Sequence, residues 1–202
     1  MDKNIVFDFD ETIGYFEQII DIIKHTKKTS KIEVFEFFNL FPLVFRTNIF
    51  EIFNYIVRLK REKKIKSVIL YSNNNNEVFI GYVLSYIHEM INYPLFDLTI
   101  SLNQTHNKNK NLSDLLKYSN GLLNKKSSIF FIDDKEYDHM KSIKYYIKCE
   151  SYKYIYSNSS IKDKLNIDLN ILYKSKSISQ SIYTLISKEI INKLRLFVLI
   201  NI

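Results

Sequence analysis

Apolar residues gather along this chain in short runs rich in β-branched and aromatic side chains: NIVFDFD at 4–10, KSVILYS at 66–72, FDLTISL at 96–102, SSIFFIDD at 127–134 and SYKYIYS at 151–157. Runs of this length and composition predict strands. The near-unbroken hydrophobicity of VILY and IFFI predicts strands covered on both faces, the environment of a parallel sheet. Between them, apolar residues recur at helical spacing over 15–27, 33–41, 47–63, 77–91, 112–123, 137–147 and 179–196. In the third of these segments Ile49, Phe50, Phe53, Ile56 and Val57 make one stripe ahead of the charged KREKK, as on a helix that covers a sheet. Strands alternating with helices predict an α/β fold, a doubly wound, Rossmann-like three-layer sandwich around a central parallel sheet.

A chain of 202 residues, 46% of them hydrophobic, suits one core with a small extension. The pattern divides it into a core at 1–157, with a small helical insertion at 15–45, and a helical extension at 158–202 that packs on the core or mediates assembly into a homo-oligomer. In that extension Ile182, Leu185, Ile186, Ile190 and Leu194 fall on one helical face. LRLFVLINI at 194–202 is far shorter than the ~20 residues a membrane span needs. It predicts a packed strand or a contact surface, and no membrane partner.

Composition changes this picture little. Ala is absent, only three Gly and two Pro occur, and Lys, Asn, Ile, Tyr and Phe dominate. That tilt suggests an AT-rich coding genome, such as that of a large DNA virus or a protist. The net charge of +7 therefore points only weakly to nucleic acid, the more so because only Arg46, Arg58, Arg61 and Arg195 offer guanidinium forks. A lone Cys149 and the lack of a basic and apolar leader at the start predict a reducing setting, cytoplasmic or nuclear, including that of a viral protein in its host cell. Cys149 itself reads as a buried small hydrophobe, and His25, His88, His106 and His139 share no metal-ligand spacing.

Candidate chemistry lies at the strand ends, since ligands of open parallel sheets bind outside the carboxyl ends of the strands. The first run ends in Asp8, Asp10, Glu11 and Thr12, the second in Ser72 and Asn73, and a later one in Asp133 and Asp134. The loop after FDLTISL carries Lys108 and Lys110. Alternation along an extended chain sets Asp8 and Asp10 on one side and Phe7 and Phe9 on the other. Asp8 is a candidate nucleophile, able to form an acyl phosphate, and Asp10 a candidate acid and base for the leaving group and the attacking water. Crowded carboxylates need a compensating cation, and oxygen-only ligands suit Mg²⁺. Its expected ligands are Asp8, the Asp10 backbone carbonyl and Asp134, with Asp133 acting directly or through water. Ser72, the Asn73 N–H and a lysine are candidate phosphate binders, and Thr12 a support for the turn after Asp10.

The ordered set DFDET, VILYS, a lysine and FFIDD resembles the motifs of the haloacid-dehalogenase (HAD) superfamily of aspartate-nucleophile phosphatases, over residues 4 to 157. Within it the chain is most similar to the small CTD-phosphatase (NLI-interacting factor) branch, through DFDET, RTNIFEIF at 46–53 and KNLSDLL at 110–116. Thr47, Asn111 and Asp134 stand where that branch carries Pro, Asp and Asn. The resemblance favours Lys110 over Lys108 and Asp134 as a direct metal ligand. It implies a Mg²⁺-dependent phosphatase.

The short stretches between motifs leave no room for a large cap domain, and an open crevice favours a bulky phosphorylated partner. A phosphoserine or phosphothreonine protein is the first expectation, a polynucleotide or nucleotide the second. A catalytically weak scaffold is the third.

Overall fold

The computed structural model describes residues 2–167 and 179–200. Five strands, β1 (Lys3–Phe7), β2 (Ser67–Tyr71), β3 (Leu98–Ile100), β4 (Ser128–Asp133) and β5 (Tyr145–Lys148), form one sheet in the order β3-β2-β1-β4-β5. Every neighbouring pair is parallel. Helices cover both faces, so the expected α/β class with three layers is present.

Side-chain alternation divides the core in two. Ile5, Phe7, Leu70, Phe130 and Ile132 point into the larger cluster, and Val6, Ile69, Tyr71 and Phe131 into the other. The larger face is covered by α1 (Glu17–Thr26), α2 (Lys31–Leu40), α3 (Ile49–Arg61) and α4 (Glu77–Ile91). The smaller face receives Leu115 of α6 (Leu112–Tyr118), which follows the short α5 (Leu102–Thr105), together with Met140 and Ile143. After β5 and α7 (Asn158–Leu165) the chain returns to the larger face with α8 (Gln180–Leu199). There Phe197 packs on Phe130 and Tyr145, with ring centroids 5.3 and 5.0 Å apart. Lys3 Nζ donates to the Val198 and Ile200 carbonyls at 2.6 and 2.8 Å, closing the end of α8 against the start of β1. Residues 168–178 and 201–202 of the expected extension lie outside the described residues.

The insertion joins the core through rings. Phe16 stacks on Phe9 at 5.0 Å, and Phe38 and Phe45 meet Tyr86 of α4 at 5.0 and 5.3 Å. Gly14 makes the return of the insertion possible: a Cβ there would stand 2.4 Å from the Val44 carbonyl oxygen and 2.6 Å from the Phe16 ring.

Three expectations need correction. The segment 137–147 is not a helix but a 3-10 turn at Asp138–Met140 followed by β5. Its YYIK sequence has strong strand preference, and Tyr146 gains the Phe131 ring at 4.9 Å across the β4–β5 pair. The segment 151–157 is extended but joins no sheet. Its backbone is held bond by bond instead: Tyr152 N–H donates to the Glu11 carbonyl at 2.8 Å, and Tyr156 exchanges two bonds with the Gln18 side chain at 2.8 and 2.9 Å. Finally, LRLFVL at 194–199 is the last part of α8 rather than a strand, because its buried Leu194 and Phe197 keep the helical spacing set by Tyr183 and Ile190. Among the described residues no helix is long and apolar enough to cross a membrane.

Candidate active site

Strand register assembles the site. β1 pairs Phe7 with Leu70 on one side and with Ile132 on the other, so Asp8, Ser72 and Asp133 follow at the same carboxyl edge. The strand order reverses between β1 and β4, and this is where crevices of open α/β sheets lie. Asp8 N–H continues the pairing to the Ile132 carbonyl at 2.9 Å, which fixes the Asp8 side chain beside Asp133. Phe9 is fully buried with Phe7, as the alternation predicts.

The carboxylates of Asp8, Asp133 and Asp134 bring ligand oxygens within 4.8 Å of one another, all three residues being buried, and could hold a metal ion. Lys110, 1% exposed, lies among them: its ammonium donates to Asp8 Oδ1 and to Asp133 Oδ2, the latter at 2.7 Å. The rings of Tyr71, Phe131 and Tyr137 surround it at 5.6 to 5.7 Å. Lys110 is placed by its neighbour, because Asn111 caps α6 through its side chain on Asp114 N–H at 2.8 Å and donates its own N–H to Tyr71 Oη at 3.3 Å. Lys108 is exposed and offers only its carbonyl, to Asn73 Nδ2 at 2.7 Å. Of the two candidate lysines, the structure brings Lys110 to the carboxylates.

The other expected residues take distinct places. Asp10 stands outside the carboxylate triad and accepts from Asn74 Nδ2 at 3.1 and 3.4 Å. Ser72 is buried and its hydroxyl accepts from Asn74 N–H at 3.0 Å, which leaves its proton to donate. Asn73 sends its amide to Lys108 and to Tyr137 Oη, at 2.7 and 3.1 Å. The backbone N–H groups of Phe9 and Asn73 find no acceptor among the described residues. Thr12 accepts at Oγ1 from Asp134 N–H at 3.0 Å, so it joins the two acidic loops. Glu11 pairs with Lys153 at 3.1 Å.

Several contributors carried no sequence signal of their own. Asn74 is one of four consecutive asparagines, and Ser151, which donates to Asp134 Oδ2 at 2.7 Å, sits in an ordinary polar segment. Arg46 is 2% exposed; its Nε reaches the Thr12 carbonyl at 2.6 Å, and its Nη2 the Glu11 and Glu150 carbonyls at 2.7 Å each. It thereby holds Glu11 in the left-handed region, φ 59°, where a residue with a side chain is costly. Arg46 opens RTNIFEIF, one of the stretches that carry the resemblance, but its place at the start of a helix alone assigns it no part in the site.

Electrostatics match the crowding. Burial, with a smaller contribution from Asp8, pushes Asp10 up to about 6 against the pull of Asn74. Burial and then the Asp8 charge raise Asp133, and burial raises Asp134. Burial works against the Lys110 ammonium, but Asp8 and Asp133 together raise its pKa. The Lys110 ammonium faces several carboxylates, and the acids are raised first by burial and then by the Asp8 charge, the second of which a cation would relieve. Burial pushes the Cys149 thiol up to about 11, which suits a packed and unreactive group. All four histidines are exposed and apart from the site. A cavity of about 270 Å³ does open at the amino edge of β4, lined by Ser128, Ile143 and Lys144 and without a carboxylate.

Set against known proteins, the chain matches no family model, no curated protein and no solved structure.

Proposed function

We propose that this chain is a Mg²⁺-dependent phosphatase of the HAD type, working through an aspartyl phosphate on Asp8 and acting on phosphoserine or phosphothreonine in protein. The observation that carries the reading is the placement of Asp8, Lys110 and Asp133 in contact across the reversal of strand order, with Asp10 one turn of the loop away. A carboxylate triad of oxygen donors with raised acids fits Mg²⁺, held by Asp8, Asp133 and Asp134 with the Asp10 carbonyl. Bound there, the ion would offset negative charge on the carboxylates and the phosphoryl group.

The chain's own residues supply the remainder. Asp8 attacks phosphorus and the ester P–O bond breaks, giving an acyl phosphate and a leaving alkoxide. Asp10, whose pKa near 6 keeps a protonated fraction close to neutral pH, gives that oxygen its proton. Asp10 then takes a proton from water, whose oxygen attacks phosphorus, releasing phosphate and restoring the Asp8 carboxylate. Lys110, the Ser72 hydroxyl and the N–H groups of Phe9 and Asn73 serve the equatorial oxygens, where preorganised donors count most.

Hydrolysis of p-nitrophenyl phosphate that requires Mg²⁺ and vanishes in Asp8→Asn is the expected result; full activity in that variant would sink the assignment. Faster turnover of phosphopeptides than of 3′- or 5′-phosphorylated oligonucleotides supports a protein substrate, and the reverse order would transfer the activity to nucleic-acid ends.

A further inference from the structure

Helix α8 buries one face in the core through Tyr183, Ser187, Ile190, Leu194 and Phe197. Its outer face carries Ile182, Leu185, Leu196 and Leu199, which are 46, 65, 62 and 75% exposed. The other large exposed apolar residues among those described belong to α2 and α4, such as Ile32, Val78 and Met90, apart from Ile200 at the end of α8. A row of four on one helix is a patch rather than scatter.

The row has a period and a symmetry. Ile182, Leu185, Glu189, Asn192, Leu196 and Leu199 follow steps of three and four, the seam of a helix that meets another helix. Read from either end, the seam is apolar, apolar, polar, polar, apolar, apolar, and its centre falls between Ile190 and Ile191. A two-fold interface requires such self-complementarity, because each residue must suit the one it meets after rotation.

We propose that this face binds a second copy of the chain, α8 packing antiparallel on α8 about a two-fold axis. In that register Ile182 meets the second copy's Leu199, Leu185 meets its Leu196, and Glu189 meets its Asn192. Asn192 already accepts from Arg195 at 3.3 Å on its Oδ1, so its amide hydrogens remain for the opposing carboxylate. Parallel packing would set Glu189 against Glu189, a like-charge contact that disfavours it. Lys188 and Arg195 line one edge of the seam in both copies, so added salt tightens the association by screening them. Tyr183 binds the carbonyl of Ser151 at the catalytic edge and Lys3 binds Val198 at the opposite one, so α8 runs the height of the sheet. The two crevices of the dimer therefore open in opposite directions, and each catalyses alone.

Sedimentation equilibrium of the full chain over a concentration series tests this. The wild type is expected to dimerise, more tightly as salt rises, and Leu185→Lys and Leu196→Glu each to weaken association at least about tenfold. Both sites are exposed, so at dilutions where every chain is monomeric the variants keep the wild-type melting temperature. Mixing the two variants restores a heterodimer, because antiparallel packing sets the new lysine beside the new glutamate and leaves an apolar pair at the other end. A wild-type chain still monomeric at about 1 mM, a dissociation constant at which association is worth only about 4 kcal/mol, overturns the proposal and assigns the face to another occupant. A dimer that neither substitution disturbs overturns the location, and a mixture that stays monomeric overturns the antiparallel register.

Discussion

Asn74 extends its amide to both carboxylate oxygens of Asp10, at 3.1 and 3.4 Å, while its own N–H rests on the Ser72 hydroxyl. A donor facing a carboxylate favours the charged form, so Asn74 opposes the rise in pKa that burial imposes on Asp10. Replacing Asn74 by Ala is expected to raise the Asp10 pKa further. The alkaline limb of kcat/KM then moves to higher pH, and the rate falls about tenfold, a part of the roughly 10²–10⁴-fold that a positioned proton donor contributes. An unmoved limb in a pH–rate profile would remove Asp10 from the acid role.

Lys110→Met keeps much of the side-chain volume and deletes the ammonium that contacts both Asp8 and Asp133. Breaking a buried pair by removing one partner costs about 3–5 kcal/mol, which chemical denaturation would read directly. The kcat is expected to fall by about 10²–10³, the cost of losing one preorganised donor at a developing charge. Added Mg²⁺ should recover part of the stability without the rate.

Mg²⁺ itself is expected to stabilise the fold by mass action, about 2.7 kcal/mol at a hundredfold excess over Kd. For a chain of this size, that corresponds to a rise in melting temperature of about 5–10 °C. Asp134→Ala, which removes the ligand oxygen altogether, should abolish most of the rise in thermal-shift measurements. An equal response in that variant places the ion elsewhere.

The metal-free protein should lose stability as pH rises. Asp10 is held at about 6 against an ordinary 3.8, so between those values the folded chain binds more protons than the unfolded chain. Its contribution is complete below about pH 4 and gone above about 6; Asp133 and Asp134 shift in the same direction. Melting temperatures measured from pH 4 to 7 should fall more steeply for the wild type than for Asp10→Asn, and parallel curves would contradict the burial of that charge.

Arg46→Lys retains the charge but cannot span the Glu11, Thr12 and Glu150 carbonyls, since only the guanidinium presents donors in a fixed fork. Losing these buried charge-assisted bonds is expected to cost about 3 kcal/mol and to loosen the turn that joins Asp10 to Asp134 through Thr12.

Sequence pattern revealed most where one element owns its environment. β1, β2 and β4 are apolar runs buried on both faces, and each announces its own end with a polar residue. β5 did not, because an edge strand is only half buried and YYIK after a lysine-rich turn carries a helix-like spacing. The segment 151–157 showed its extended form in alternating tyrosines but not its partners, which are one bond to Glu11 and two each with Gln18 and Tyr183. The same holds within the site. Asp8, Asp133 and Asp134 stand at strand ends, whereas Asn74 is chosen from four identical neighbours only by its distance to Asp10. Arg46 is one guanidinium among four in the sequence, and its burial shows only where Tyr152 and Tyr183 close over it at 5.6 and 5.8 Å.

Phe197 covers Phe130 from a helix that the ribosome makes long after β1. At about 5–20 residues per second, roughly 10–40 s separate the synthesis of Asp8 from that of Phe197. Only in the last roughly 3–13 s of that interval, once β4 has been made, can it pair with β1, and until α8 follows the Phe130 ring lacks its cover. Arrest of translation before α8 is therefore expected to leave the carboxylates in register while the rings of Phe130 and Tyr145 lose the Phe197 contact that covers them.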